Sequence, residues 1–112
     1  MKEILAELNK VKGIMGSMVV AADGMVIASD VAVQTPDEVL GAMAASIATT
    51  ITKSLERMNH GKLHQAMLDA TEGKIFISDV GMGFLVVVTD KDVNVGLIRV
   101  EMRSASDRLR RR

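Results

Sequence analysis

The sequence contains no cysteine, no tryptophan, no tyrosine, a single proline, two phenylalanines and no net formal charge. Each absence removes a class of explanation. Without cysteine there is no disulfide framework and no thiolate metal site, which fits a reducing compartment and makes a cytoplasmic address the expectation. Phe76 and Phe84 are the only aromatic residues, too few to build a platform on which single-stranded nucleic acid stacks its bases. Fourteen Lys and Arg balance fourteen Asp and Glu, so no global field draws the chain toward nucleic acid or an anionic membrane. Partners are then found by shape and apolar contact. No uncharged run reaches the roughly 20 residues needed to span a bilayer. The first ten residues alternate charged and apolar side chains where a signal peptide carries an unbroken apolar stretch. Membrane insertion is not expected.

With 112 residues the chain suits one sheet-and-helix core, and a single domain over 1–112 is expected. Ile4, Leu5, Leu8 and Val11 recur at three- and four-residue steps and predict a first helix over Lys2 to Lys12, ended by Gly13. Ser17 to Ala22 and Met25 to Ser29 flank Asp23-Gly24, the pattern of a hairpin with a tight turn. Thr35-Pro-Asp-Glu38 combines an N-cap hydroxyl with a proline and acids in the first turn, predicting a helix from Pro36 to about Asn59 with Gly61 just beyond. Leu63 to Ala70, Lys74 to Ser78 and Phe84 to Thr89 read as a three-strand antiparallel meander, its last strand apolar on both faces as a central strand should be. A third helix is predicted from Asn94 to Leu109, buried through Val95, Ile98, Met102, Ala105 and Leu109. The expected class is α+β, in the order αββαβββα. A five-stranded antiparallel sheet carries the two outer helices on one face and the long helix on the other.

Most informative is the uncharged stretch from Val39 to Thr52 within that long helix. Leu40, Met43, Ala44, Ile47, Ile51 and Met58 form one apolar side, expected to lie on the sheet. That leaves Gly41, Ala45, Ala48 and Thr52 on a flank and Ala42, Ser46 and Thr49 facing outward, none of them charged. Small side chains let two helix backbones approach closely, and closed homo-oligomers are mostly two-fold dimers. The helix is therefore expected to pack beside its symmetry mate; the competing arrangement buries the small residues under an intrachain loop. Leu63 to Ala70 supports the dimer separately. As an edge strand its interior, Gln65, Ala66, Met67 and Leu68, lacks the proline or lysine that guards most edges. Gly41, Ala45, Ala48, Thr52, Leu63, Gln65, Ala66, Met67 and Leu68 are the expected dimer contacts.

In order and spacing, Val11-Lys-Gly-Ile-Met-Gly-Ser-Met-Val-Val20, Ala22-Asp-Gly-Met-Val-Ile-Ala-Ser29, Leu40-Gly-Ala-Met-Ala-Ala45 and Asn94-Val-Gly-Leu-Ile-Arg-Val100 resemble the Roadblock family, also called the dynein light-chain roadblock type. The resemblance covers nearly the whole chain. It implies a Roadblock fold that dimerises through the long helix and the adjacent edge strand. It also implies a non-catalytic platform for a Ras-like small GTPase, as the prokaryotic gliding-motility relatives act on their GTPase as homodimers. If the mechanism is shared, Ala42, Ser46, Thr49, Lys53 and Arg57 are the expected GTPase contacts on the paired helices.

Other motifs point to little chemistry. Gly81-Met-Gly83 is followed by a strand and lacks the Gly-Lys-Ser/Thr ending of a phosphate loop, so it reads as a turn. His60 and His64 are separated by the predicted helix end and do not share a face as a zinc pair would. No serine sits on a strand-to-helix elbow with a histidine partner. No enzyme activity and no cofactor are expected. Arg108 and Arg110 to Arg112 read as a charged helix end. Met18, Met58 and Met102 are expected in the core, with Met82 at a loop tip. A small-molecule sensing domain with a pocket near the glycine-rich loops, or a purely structural scaffold, are the alternatives.

Overall fold

The computed structural model describes residues 1–32 and 34–111. Its elements are α1 (Lys2–Leu8), β1 (Ile14–Val20), β2 (Val26–Val31), α2 (Asp37–Arg57), β3 (Gln65–Asp69), β4 (Lys74–Asp79), β5 (Phe84–Thr89) and α3 (Val95–Arg110). The five strands form one antiparallel sheet in the order β2-β1-β5-β4-β3. β5 occupies the centre, which explains its apolar residues on both faces, and β3 is an edge.

Two clusters cover the two faces. On one, Ile4, Leu5 and Leu8 of α1 and Ile98, Met102, Ala105 and Leu109 of α3 pack on Val19, Phe76, Leu85 and Val87. On the other, Ala44 and Ala48 of α2 meet Met18, Val20, Ile77, Phe84 and Val86. The expected class, order and distribution of helices are all present. Asn94 caps α3, its Oδ1 accepting from the Leu97 N–H at 3.0 Å.

Two boundaries differ from expectation for local reasons, and a third is set by a defined stop. α1 stops at Leu8 because Asn9 is drawn into tertiary contacts: its Nδ2 donates to the Asp30 carbonyl at 2.7 Å and its Oδ1 accepts from the Ser17 hydroxyl at 2.8 Å. At the start of α2 the cap position belongs to Pro36, with no side-chain cap bond, so Thr35 does not perform the capping its sequence context suggested. Asp37 and Glu38 still place negative charge in the first turn, where the helix dipole favours it. At the other end Asn59 takes φ +57°. The His60 N–H donates to Leu55 O at 2.9 Å and the Asn59 N–H to Glu56 O at 3.1 Å. This is a Schellman stop at Asn59, where the helix was expected to end.

The largest departure is the rotation of α2. Gly41, Ala44, Ala45 and Ala48 are its buried residues, and Leu40, Ile47 and Ile51 only half-buried. Met43 and Met58 are each 55% exposed. The helix is turned by nearly one residue step, about 100°, from the orientation that would bury its largest side chains. Gly41 supplies the reason. A Cβ there would stand 2.8 Å from the Gly24 carbonyl oxygen, 3.0 Å from Val26 Cγ2 and 3.4 Å from Val20 Cγ1. Only a glycine lets α2 sit this close to the β1–β2 hairpin, and the small side chains that follow keep it there. Gly24 (φ +93°) in turn provides the left-handed turn residue that brings its carbonyl to the helix.

Gly41→Val is therefore expected to lower the unfolding free energy by about 1–3 kcal/mol, the usual penalty of overpacking. Ala42→Val, one position along on the exposed side, should stay within about 0.5 kcal/mol. Urea denaturation of the two variants beside the parent checks both.

Candidate interaction surface

Among the described residues, two features of the α2 side of the molecule are only partly covered: Leu40 and Ile47 pack at the rim of the core cluster, while other parts stay open. The first is the outer surface of α2. Its inner flank abuts the β1–β2 turn, Ala42 Cα lying 3.2 Å from the position of a Gly24 Cβ. The opposite flank, at about 100° per residue, carries Leu40, Met43 and Ile47. Val39 is 47% exposed beside them. The outward row consists of Ala42, Ser46, Lys53 and Arg57, all exposed, with Thr49 half-buried. Hydroxyls on this helix bond back to their own backbone: Thr50 to Ser46 O at 2.9 Å, Thr52 to Ala48 O at 2.8 Å and Ser54 to Thr50 O at 2.9 Å. They present methyl and methylene groups outward more than free donors.

The second feature is β3. The Asp79 N–H donates to His64 O at 3.2 Å and the Ala70 N–H to Gly73 O at 3.0 Å. Within the register that pairs Ala66 with Ile77 and Leu68 with Ile75, these bonds fix the parity of the ladder. Ala66 and Leu68 bond to β4, while Gln65, Met67 and Asp69 turn their N–H and C=O groups to the open edge. Leu68 is 37% exposed. It lies opposite Ile75, which with Ala66 belongs to the rim of the core cluster under α2. α2 itself lies over β2, β1 and β5. The β3 end of that face is thus an apolar shelf beside an unpaired strand.

Against the residues singled out from sequence, the structure redistributes the expected contacts. Gly41, Ala45 and Ala48 are buried inside the same chain. Leu63 is likewise buried among α2 and sheet residues. The physical reason is the close seating of α2: small side chains lower it onto the sheet instead of opening a seam for another helix. Thr52 is half-buried. Gln65, Ala66, Met67 and Leu68 do lie along an edge strand. Met43, assigned to the core by its size, is a surface residue that sequence reasoning missed, and Met58 is exposed rather than buried. Only the tight Gly41–Gly24 approach could have signalled the rotation.

Gly81 to Gly83 form the β4–β5 turn, where the Asp79 carboxylate accepts from the Gly81 N–H at 2.7 Å and the strand resumes at Phe84. His60 and His64 are both exposed. Among the described residues no group of three or more His, Cys, Asp or Glu side chains is placed to hold a metal ion, and no helix is long and apolar enough to cross a membrane. Arg108 Nη1 donates to Glu7 Oε2 at 3.3 Å, and Arg110 to the Asp79 carbonyl at 2.6 Å. Arg112 of the same basic run lies outside the described residues.

The Roadblock/LC7 domain model matches residues 1–90. The chain belongs to the Roadblock/LC7 family. An uncharacterised protein of Methanocaldococcus jannaschii is 43% identical to this Roadblock chain over 107 residues, 96% of this chain and 94% of that protein. Among solved structures, a Roadblock/LC7 domain from Streptomyces avermitilis superposes with a TM-score of 0.92 at 17% identity, covering 99% of this chain and 95% of that one. Myxococcus xanthus MglB gives 0.89 at 21%, covering 99% and 94%. At these identities the structural likeness speaks for the Roadblock fold.

Parity along β3 gives a direct check. Met67→Pro removes an N–H that points away from the sheet, a position where edge strands tolerate proline. Leu68→Pro removes one that bonds to β4 and leaves the Ile75 carbonyl unpaired. Leu68→Pro is expected to cost about 1–3 kcal/mol more than Met67→Pro in thermal unfolding.

Proposed function

We propose that this protein is a homodimeric, non-catalytic adaptor that binds a Ras-like small GTPase and modulates its cycle. The observation that carries the reading is the juxtaposition of an unguarded β3 edge with an apolar shelf on the same side of the molecule. An isolated chain leaves Gln65, Met67 and Asp69 unpaired and Leu68, Met43 and Val39 in water. Antiparallel pairing of β3 with its own symmetry mate joins two five-stranded sheets into one. It also brings the second α2 over the exposed shelf, flank to flank through Leu40, Met43 and Ile47. The interface is isologous, as a two-fold dimer requires. Its helix contacts are the larger apolar residues of the outer flank, in place of the small-residue stripe that lies against the sheet.

On such a dimer the two outward rows of Ala42, Ser46, Thr49, Lys53 and Arg57 form one broad surface. It is apolar and small at one end and cationic at the other. Family membership supports a GTPase as its partner, since Roadblock domains act as platforms for Ras-like GTPases. No side chain in the row has the reach and hydrogen-bond geometry of an arginine finger except Arg57 at the helix end. Any change in hydrolysis is therefore expected through ordering of the GTPase switch segments.

Met67→Pro is expected to sediment as a monomer at concentrations where the parent chain is a dimer; an undiminished dimer would place the interface elsewhere. For the GTPase surface, Ser46→Arg is expected to weaken binding of a Ras-like GTPase from the same cell at least tenfold with the dimer intact. Titration calorimetry with the GDP- and GTP-analogue-loaded forms reads this. Equal affinity for parent and variant would remove the outward α2 row from the interface. Single-turnover GTP hydrolysis in the same mixtures separates a regulator from a scaffold.

A further inference from the structure

On the sheet face opposite α2, α3 does not fill the whole width of the sheet. A groove of about 670 Å³ runs between α3 and the β3–β4 side. Its floor is Ser78 of β4 and Ser106 of α3, both buried, with their hydroxyl oxygens 3.1 Å apart. Two small polar residues meet where an apolar pair would have closed the gap. Arg99, Val100 and Arg103 form the α3 wall, and His64 and Gln65 stand at the β3 side.

The charges in this groove are not equivalent. Arg110 is committed to the fold: it donates to the Asp79 carbonyl at 2.6 Å and lies 3.7 Å from Asp79 Oδ1. That carboxylate also takes the Gly81 N–H. Arg108 is turned to Glu7 on α1. Arg99 and Arg103 are exposed and, among the described residues, have no hydrogen bond or ion pair. One carboxylate, Asp107, follows a turn later on the same wall. The Arg99–Arg103 end is left with uncompensated positive charge. Between these two, Val100 is 66% exposed, a β-branched apolar residue at a helix position with no role in either core cluster.

From this we infer that the α3 groove is a second docking site, for an acidic segment of a partner protein. Guanidinium groups recognise carboxylates bidentately. Arg99 and Arg103 are separated by one helical turn, about 6 Å along the axis. An extended segment sets side chains i and i+2 at about 6.6 Å on one face, so acidic residues two apart reach both guanidiniums. Val100 lies between to take the methylene stems of those same side chains. The buried serine pair gives the floor one free hydroxyl donor. A flat anionic membrane fits less well, because Glu101 and Asp107 interleave with the arginines on the same helix and the serines lie recessed below it. The groove shares no residue with the α2 surface, so the inference stands whether or not the GTPase reading holds. It adds a site that remains open while α2 is occupied.

The test uses the full chain and a fluorescein-labelled nine-residue peptide, Gly-Ser-Glu-Val-Glu-Val-Glu-Gly-Ser, with its Gln-for-Glu counterpart as control. Fluorescence anisotropy at low ionic strength is expected to show saturable binding of the acidic peptide and at least tenfold weaker binding of the control. Affinity should fall as salt rises. The double variant Arg99→Glu/Arg103→Glu is expected to lose at least tenfold, and Lys53→Glu/Arg57→Glu on α2 to leave the affinity unchanged. Circular dichroism of each variant establishes that it is folded. Should the charge reversal on α3 misfold, Arg99→Gln/Arg103→Gln serves in its place, with at least a threefold loss expected. No binding, equal binding of the control, or loss caused equally by the α2 variant would overturn the proposal. So would co-sedimentation with phosphatidylserine vesicles in the absence of peptide binding.

Discussion

Gly41 lying against Gly24 is the contact on which the outside of this molecule depends. Where the helix backbone reaches the hairpin carbonyl with no side chain between them, α2 buries its small residues most deeply, with Leu40, Ile47, Ile51 and Leu55 half-buried at the rim of the same cluster. Of its larger apolar side chains, Val39 and Met43 are left exposed. A dimer interface, on this account, results from how tightly one helix is seated. What the sheet does not accept is displayed, and displayed apolar surface beside an unpaired strand is closed most simply by a second copy.

This seating also explains what was and was not legible in the sequence. Elements with a strong period or a tight turn were readable: the Asp23-Gly24 hairpin, the meander ending in the doubly apolar β5, and the α3 stripe of Ile98, Met102, Ala105 and Leu109. The edge position of β3 followed from strand order and from the absence of guarding residues. The rotation of α2 was not readable, because apolar periodicity weights a side chain by size. A helix that packs through glycine and alanine reverses that weighting, which is why Met43 and Met58 read as inward and Gly41, Ala45 and Ala48 as a flank. The end of α1 was hidden for another reason. Asn9 leaves the helix to satisfy Ser17 and Asp30, which are distant along the chain, and local propensity cannot see such contacts.

The sheet separates two surfaces of different chemistry. The α2 side is apolar and nearly uncharged along its outward row until Lys53 and Arg57. The α3 side carries a recessed groove walled by two unengaged arginines. The rigid link between them is the pair of cores packed on β1, β4 and β5.

The absence of native cysteine makes the central claim open to thiol labelling. Single variants Ala45→Cys and Met43→Cys are reacted with a maleimide under native conditions over a dilution series. The account predicts that the thiol at position 45 is protected at every concentration, because it lies against its own sheet. The thiol at position 43 is predicted to be shielded when concentrated and to become reactive as the dimer dissociates. A thiol at 45 that is exposed by dilution, with one at 43 protected throughout, would contradict the account: α2 would then be turned the other way, with its small residues meeting a second chain.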